Sequence, residues 1–342
     1  MLVDAAVDIS AFANSKEISD PVLHAVLGTP QKPGAFRISW FSVARRNDEE
    51  VEPLIALPTD VAATEGDDVM RYLHPQPLTN GLRTSCTMGQ IAIVQQKERS
   101  KPEGGLWFAG EGLAVYMRGE SLSRKKHTVG MCDLWKTNAR IGIALDPDKH
   151  AAVQGALFTS EAIALAKNVG FLTRIEGADG TAPKGGLLRL GGDGHSVRVE
   201  ACKVAWPEPD WDRIAKERRF RLVLATPGLF EQGWLPPGIR DDGVTWNGPC
   251  GVSARLVCAA VPRAQVVSGW DLARRAPKAA LRAAPAGSVY WFDATQVNGG
   301  TALIAALQKL AAEGFGCVSG YPDRARLAEG FNNVMIANWA IQ

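Results

Sequence analysis

Apolar and polar residues alternate in several short segments of the chain, and this two-residue period predicts strands. In AFRISWFSVARR, residues 35–46, the alternation places Ile38 and Trp40 on one inward face. GGLLRLGGDGHSVRVEACKVA predicts two strands around a glycine turn, and residues 104–120 predict a strand or a hairpin divided by glycines. The other predicted strands are RIGIALD, RFRLVLATP, ARLVCAAV, GSVYWFD and NNVMIANWAIQ.

Helical periodicity is rarer than strand periodicity. TALIAALQKLAAE, Thr301 to Glu313, carries its leucines on one face, and it predicts a helix with Thr301 as the N-cap and Gly314 at C′. A short helix is expected between Thr159 or Ser160, as its cap, and Gly170. MLVDAAVDISAFA, residues 1–13, also has an apolar stripe at helical spacing.

Many strands with few helices, and no regular alternation of the two, indicate an α+β fold with antiparallel sheets. A doubly wound nucleotide-binding fold would alternate strand and helix, so it is not expected. WPEPDWDR, residues 206–213, is rich in proline and charge and predicts a domain boundary. The two predicted domains are therefore residues 1–205 and residues 206–342.

Composition narrows the classes of function. The chain has 342 residues and a formal net charge of +2, so a nucleic-acid partner must be held by local clusters of positive charge. The six cysteines form no C-x-x-C pair and no zinc-like spacing, which predicts a reducing compartment and no bound metal. Without a leader or an apolar run of membrane-spanning length, we expect a cytoplasmic protein that contacts no membrane.

Two short motifs are candidates for phosphate contact. GGDGHS, residues 191–196, lacks the G-x-G-x-x-G spacing and the following helix of a dinucleotide site, so a plain hairpin turn and a ligand-binding turn both stay open. RKKH, Arg124 to His127, is either a solvated loop or a contact for phosphate groups.

The segment EGFGCVSGYPDRARLAEGFNN, Glu313 to Asn333, has more glycines than a surface turn needs. A helix cap followed by an ordinary loop is one interpretation. Glycines also let a ligand backbone approach main-chain N–H groups, and Arg324 and Arg326 favour a phosphodiester chain as that ligand. The glycine-rich loop, Gly314 to Gly330, is therefore a candidate cradle for RNA.

A glycine-rich loop between the last helix and the last strand resembles the hallmark of RAMP proteins, the RNA-binding subunits of CRISPR systems. Further segments resemble one RAMP branch in the same order: RIGIALD followed by GALF, LRLGGDGHSVRVE, LATPGLFEQGWLPP, VSGWDLARRAPKAALRAAPAGSVYWF and EGFNNVMIANW. Asp193 stands where that branch has Glu, and His195 or Arg198 must replace its arginine. From Phe36 onward, the chain resembles the third subunit of type III-B (Cmr) effector complexes.

This resemblance implies two ferredoxin-like (RRM-like) domains with inserted loops, and it implies that the first strand and the start of the first helix are absent from this sequence. It also implies a non-catalytic role in antiviral defence, without a cofactor or a metal. The implied partners are the crRNA 5′ handle, the large polymerase/cyclase-like CRISPR subunit and the backbone RAMP subunit. The residues expected at the RNA are Arg124, Lys125, Lys126, Arg189, Gly191, Gly192, His195, Arg198, Gly314, Gly316, Gly320, Arg324, Arg326 and Gly330.

Three alternatives stay open at this point. The first is a RAMP endoribonuclease that processes repeat RNA without a metal, with His195 or His127 as the general base. The second is a subunit that contacts only protein. The third is a handle-binding sister subunit from another type III subtype.

Overall fold

The computed structural model describes residues 18–29, 32–48, 50–78, 84, 86–96, 101–190, 195–271, 275–296, 300–317 and 324–341. Over these residues the protein is a mixed α/β fold whose strands pair antiparallel. This confirms the predicted fold class, whereas the two ferredoxin-like domains stay a prediction. The segment at residues 1–13 lies outside the described residues.

The first half, up to residue 205, contains several small sheets. In chain order its elements are α1 (Pro21–Leu27), β1 (Arg37–Asn47), β2 (Glu50–Leu54), β3 (Val61–Ala62), β4 (Val69–Tyr72), β5 (His74–Pro77), β6 (Gln90–Ile93), β7 (Leu106–Phe108), α2 (Gly112–Arg118), β8 (Leu122–Ser123), α3 (Arg124–His127), β9 (Thr128–Gly130), α4 (Met131–Leu134), β10 (Trp135–Leu145), β11 (Ala152–Leu165), β12 (Val169–Glu176), β13 (Gly185–Arg189) and β14 (Ser196–Glu200). The main sheet has three strands in the order β12-β1-β2, and the other sheets have the orders β3-β4-β8, β5-β6, β7-β9, β10-β11 and β13-β14.

Strands β10 and β11 form a long two-stranded hairpin, here called the ribbon (residues 135–165), most of whose side chains are exposed. The helix expected from Thr159 or Ser160 to Gly170 is therefore wrong. Thr159 and Ser160 lie within β11, and Gly170 lies within β12. Because the ribbon is exposed on both faces, its sequence lacks the alternation that burial of one face produces.

The segment at residues 104–120 begins with strand β7 as predicted, but helix α2 takes the place of the expected second strand. The first residue of this helix is Gly112, and only glycine fits there because a Cβ would collide with the carbonyl oxygen of His127. Gly119 ends it with a left-handed φ of 67°, and its N–H bonds to the helix carbonyls. The glycines taken for strand breaks are the two ends of a buried helix.

The second half is built on a five-stranded sheet. Its elements are α5 (Trp211–Glu217), β15 (Arg219–Leu224), β16 (Thr245–Asn247), a 3-10 turn (Pro249–Gly251), β17 (Ser253–Ala260), β18 (Gln265–Val267), β19 (Trp270–Asp271), β20 (Ala276–Pro277), β21 (Leu281–Ala283), β22 (Val289–Asp293), α6 (Gly300–Glu313), a 3-10 turn (Gly314–Cys317), α7 (Arg324–Ala328) and β23 (Val334–Ala337). The sheet has the order β16-β17-β22-β15-β23. The connection between β17 and β22 contains two nested hairpins, and residues 265–283 are here called the arm.

Helix α6 confirms the strongest helix prediction, since Leu303, Leu307 and Leu310 are buried against the sheet. It begins at Gly300, so Thr301 lies inside the helix and is not its N-cap. Gly314 follows the helix with a φ of 59°, the left-handed conformation expected at C′.

A hydrophobic core lies between the two halves. Trp40 and Leu172 from the first half belong to one cluster with Val223, Trp291 and Met335 from the second. Strand β15 is buried on both faces, which explains its almost continuous apolar run. Each strand ladder among the described residues joins two strands that both precede position 206 or both follow it. The domain limits themselves stay a prediction.

Candidate nucleic-acid interface

The glycine-rich loop is held at both of its ends by the protein itself. Gly314 has a φ of 59°, and a Cβ there would lie 2.6 Å from the carbonyl oxygen of Asn332. Gly330 has a φ of 93°, and a Cβ there would lie 3.1 Å from side-chain atoms of Ile38 in β1. These two glycines are required for close packing of the chain on itself, so they need no ligand to explain them.

Side chains reinforce this contact between the loop and the first half. Asn333 Nδ2 donates to the carbonyl oxygens of Gly330, at 2.8 Å, and Ile38, at 3.1 Å. The Arg37 guanidinium donates to the carbonyl of Ala312 at 3.0 Å and to that of Glu313, so it caps the last turn of α6. The ends of the loop therefore belong to the interface between the halves.

The two arginines of the loop have different environments. Arg326 is buried, pairs with Glu329 at 2.9 Å and lies with its guanidinium 5.5 Å from the centre of the Phe331 ring. Arg324 is exposed at the start of α7. Of the two arginines, only Arg324 is therefore placed to contact a phosphate chain, because the Arg326 side chain is directed into the protein. Gly316 is half-buried, and Gly320 lies outside the described residues.

Both strands of the hairpin predicted around GGDGHS are present. Strands β13 and β14 pair from Gly185↔Glu200 to Arg189↔Ser196, and the N–H of Leu190 donates to the carbonyl of His195 at 3.1 Å. Arg189, His195 and Arg198 are exposed. Gly191 and Gly192 lie outside the described residues. Two exposed arginines thus flank this turn, as a phosphate contact requires.

One ion pair joins this hairpin to the main sheet of the first half. Glu200 in β14 accepts a hydrogen bond from the Arg46 guanidinium in β1 at 2.7 Å. That hydrogen bond, with a smaller contribution from Arg198, lowers the pKa of the Glu200 carboxyl. The hairpin is therefore attached to β1 at its foot.

The basic cluster RKKH forms the one-turn helix α3, capped by the Ser123 hydroxyl. Arg124 makes a bidentate pair with Glu103, with both N–O distances at 2.6 Å, and this hydrogen bonding lowers the pKa of Glu103. The backbone N–H of Lys125 donates to Asp68 at 2.8 Å, which lowers the pKa of that carboxyl. Arg124 is thus used within the fold, and Lys125 and Lys126 are the exposed cations of the cluster.

A buried ionic network also joins the two halves, and no sequence pattern indicates it. Arg221 in β15 donates to Asp60, to the carbonyl of Tyr116 at 2.8 Å and to that of Asn338 at 2.7 Å. The Tyr116 hydroxyl donates to the other Asp60 oxygen at 2.9 Å. The side chains of Arg221 and Asp60 are fully buried, and burial raises the pKa of Tyr116.

The arm is the other feature that the sequence did not mark as a site. It contains the exposed Trp270, and Arg282 is exposed on β21 directly opposite Val266. At the foot of the arm lies a cavity of about 440 Å³ with mostly apolar walls. Lys278 attaches the arm to α7 through an ion pair with Glu329 at 2.7 Å.

Comparison with known families decides which class of protein carries these features. The family described as CRISPR-associated protein (Cas_Cmr3) matches residues 3–321, which is nearly the whole chain. The chain belongs to the Cas_Cmr3 family. Membership in Cas_Cmr3 confirms the resemblance to the third subunit of type III-B (Cmr) CRISPR complexes.

Solved structures and curated sequences give a weaker comparison for this Cas_Cmr3 protein. A chain of a type III-B Cmr-beta complex bound to cognate target RNA and AMPPnP is 14% identical, with a TM-score of 0.37, over 86% of this chain and 75% of that one. A chain of the complex bound to cognate target RNA alone is 15% identical, with a TM-score of 0.38, over 79% of this chain and 72% of that one. A search of curated proteins finds no match.

Within the described ranges, this Cas_Cmr3 protein shows no group of three or more His, Cys, Asp or Glu residues placed to hold a metal ion. The helices of the same ranges are too short or too polar to cross a membrane.

Proposed function

We propose that this Cas_Cmr3 protein is a non-catalytic, cytoplasmic RNA-binding subunit of a type III-B CRISPR ribonucleoprotein. It holds the 5′ handle of the crRNA and docks against the large polymerase/cyclase-like subunit and the backbone RAMP subunit. The observation that carries the proposal is the family match over residues 3–321. The exposed cations support it, because the handle is a polyanion.

Those cations lie in three separate places. Lys125 and Lys126 extend from α3, Arg189 and Arg198 flank the hairpin turn, and Arg324 begins α7. Contacts of this kind fix the position of an RNA backbone and carry little sequence information. Sequence preference for the handle must therefore come from unstacked bases held by other groups, as in most recognition of single-stranded RNA.

The geometry of the two candidate bases supports a role without cleavage. His127 accepts a hydrogen bond at Nδ1 from the N–H of Ser123 at 3.1 Å, so one ring nitrogen stabilises the foot of α3. His195 is exposed beside its turn and is a candidate contact to RNA. We expect the purified chain to leave repeat RNA intact; cleavage that His195→Ala or His127→Ala abolishes would support the endoribonuclease alternative.

The proposal is tested by purifying the chain with its native partners and sequencing the RNA that copurifies. We expect RNAs that begin with a constant repeat-derived handle, together with the large and backbone subunits. Complexes without RNA, or RNA without a common 5′ sequence, would contradict handle binding. A complex of proteins that forms equally well after nuclease treatment, and never retains crRNA, would support a subunit that contacts only protein.

A further inference from the structure

The arm carries more positive charge than its length explains. Residues 265–283 contain four Lys or Arg residues and one Asp, a balance of +3, whereas the whole chain has a net charge of only +2. The ribbon, residues 135–165, has three Lys or Arg and three Asp or Glu, a balance of zero. Both elements project as two-stranded hairpins, so the difference lies in their chemistry rather than in their shape.

Two cations of the arm are available to a ligand. Arg275 and Arg282 are exposed, and within the described part of the chain neither is paired with a carboxylate. Lys278, in contrast, is held by Glu329, which also accepts the hydrogen bond from Arg326. The arm therefore has one cation that fixes its position against α7 and others that face solvent.

Trp270 gives the arm an aromatic surface. Its side chain is 57% exposed, although it is the largest side-chain type and is usually covered in a folded protein. Its cross-strand partner is Pro277, in a two-residue ladder that includes no further strand. An exposed indole beside arginines is a platform for nucleobases, since every base has a face that stacks on an aromatic ring.

The cavity at the foot of the arm supplies a second position for a base. Met88, Trp234, Val261, Pro262 and Ala284 line it, and Arg282 provides a positive charge there. Its volume of about 440 Å³ is large enough for a nucleobase. Ala264 lines the cavity, and Gln265 follows it at the foot of the arm. Five residue steps lead from Gln265 to Trp270, so the two positions are at most about 18 Å apart, the length of a fully extended chain.

We propose that the arm and the cavity at its foot bind single-stranded RNA, with one unstacked base in the cavity, its phosphates on Arg282 and Arg275, and a later base stacked on Trp270. This inference rests on the proposed function and extends it to residues outside the glycine-rich loop and the GGDGHS turn. It also supplies the base contacts that the exposed cations alone do not provide.

The test measures the affinity of the full chain for a fluorescein-labelled single-stranded RNA with the repeat-derived handle sequence, at several salt concentrations. The variants are Trp270→Ala, the double variant Arg275→Ala/Arg282→Ala, and Ala264→Trp, which fills the mouth of the cavity. The matched controls lie on the ribbon: Phe158→Ala, which removes an aromatic side chain that is 55% exposed, and Arg140→Ala. Thermal unfolding verifies that each variant is folded.

We expect Trp270→Ala to raise Kd at least about fivefold, the smallest effect of losing one base–aromatic stack. The slope of log K against log salt should be the same for this variant as for the parent, because no charge is lost. The double arginine variant should reduce that slope by about 0.7 for each lost phosphate contact. Ala264→Trp should weaken binding without changing the slope, and both ribbon variants should bind as the parent does.

A second probe locates the stacked base. RNAs are prepared with an abasic site at each handle position in turn. At one position the abasic site should weaken binding to the parent, but it should cause no further loss of affinity in the Trp270→Ala variant. Additive effects at every position would overturn stacking on Trp270.

The outcomes separate this inference from the proposed function. If the parent chain does not bind handle RNA, both the proposed function and this inference are refuted. If the parent binds handle RNA and the arm variants bind it with the same affinity, only RNA binding by the arm is refuted. Arm variants that keep RNA affinity but fail to copurify the large subunit would show that the arm binds protein.

Discussion

Arg221 and Arg282 belong to the same half of the molecule and illustrate opposite uses of one side chain. Arg221 lies in the buried interface between the halves, where Asp60, two backbone carbonyls and the rings of Tyr72 and Tyr116 surround it. Arg282 lies on the exposed arm beside a cavity. A buried guanidinium must have all of its charge compensated within the protein, whereas an exposed one can exchange water for a ligand phosphate at low cost.

This comparison also explains the glycine-rich loop. Its ends, Gly314 and Gly330, and its arginine Arg326 are all used for packing against neighbouring segments. The interface between the halves thus accounts for features that the sequence alone assigns to RNA. Arg275 and Arg282 of the arm, in contrast, are exposed and make no ion pair with any carboxylate that the structure describes.

The largest expected effect follows from removing the charge at the interface. Arg221→Met leaves Asp60 buried without its cation, and breaking such a pair costs about 3–5 kcal/mol of unfolding free energy. Chemical denaturation of the parent and the variant measures this loss. The neighbouring exposed Arg219→Met, which breaks a surface pair with Asp293, is the control and should cost less than about 1 kcal/mol. Equal losses in the two variants would contradict the distinction between buried and exposed arginines.

The next effect concerns the glycines of the loop. Gly314→Ala forces a side chain into the left-handed region and toward the Asn332 carbonyl, so we expect a loss of about 1–3 kcal/mol in unfolding free energy. Gly316→Ala is the control, because the nearest atom to a Cβ there is 3.5 Å away and its φ is not positive; it should change stability by less than about 0.5 kcal/mol. If Gly314→Ala instead weakens RNA binding with no loss of stability, the loop cradles RNA.

A smaller effect is expected where the arm contacts α7. The Lys278–Glu329 pair is partly exposed on both sides, and such surface pairs contribute about 0.2–1 kcal/mol. A double-mutant cycle with Lys278→Ala and Glu329→Ala should give a coupling energy in this range that falls as salt is added. A coupling energy above this range would mean that the arm is part of the rigid fold, like the interface.

The smallest effect is a change in acid stability at an exposed turn. The Thr245 hydroxyl and the backbone N–H groups of Thr245 and Val244 donate to Asp242 and hold its pKa at about 2, below the usual 3.8. Because the folded pKa is depressed, this contribution is complete above pH 3.8 and is lost as the pH falls toward 2. Asp242→Asn should therefore flatten the pH dependence of stability in that window. If the parent and the variant lose stability equally as the pH falls through that window, this exposed carboxylate does not stabilise the turn.

The predictable elements are those in which buried residues recur at a regular spacing along the chain. Strand β1 alternates because one face packs on the core, and α6 has a leucine stripe because one face packs on the sheet. Only part of the ribbon was predicted, as the strand RIGIALD, since neither of its faces is buried and nothing imposes a period on its residues. Helix α2 was missed because both of its end glycines also suit a hairpin.

The candidate site was predictable only in part, for a different physical reason. A sequence shows that Arg324, Arg326 and Arg221 carry charge, but the partner of each depends on contacts between distant segments. Asp60 and Arg221, for example, are 161 positions apart. Exposure of Trp270 is likewise a property of the folded arm. The positive charge of residues 265–283 is a sequence signal that could have directed attention to the arm.

We expect RNA to contact the exposed cations and the arm, and not the interface between the halves. Ultraviolet crosslinking of crRNA within the native complex, followed by mass spectrometry of the crosslinked peptides, distinguishes these surfaces. Crosslinks are expected in peptides from the arm, including Trp270, and beside the turn between Arg189 and Arg198. Crosslinks confined to other subunits, or to peptides around Asp60 and Arg221, would contradict it.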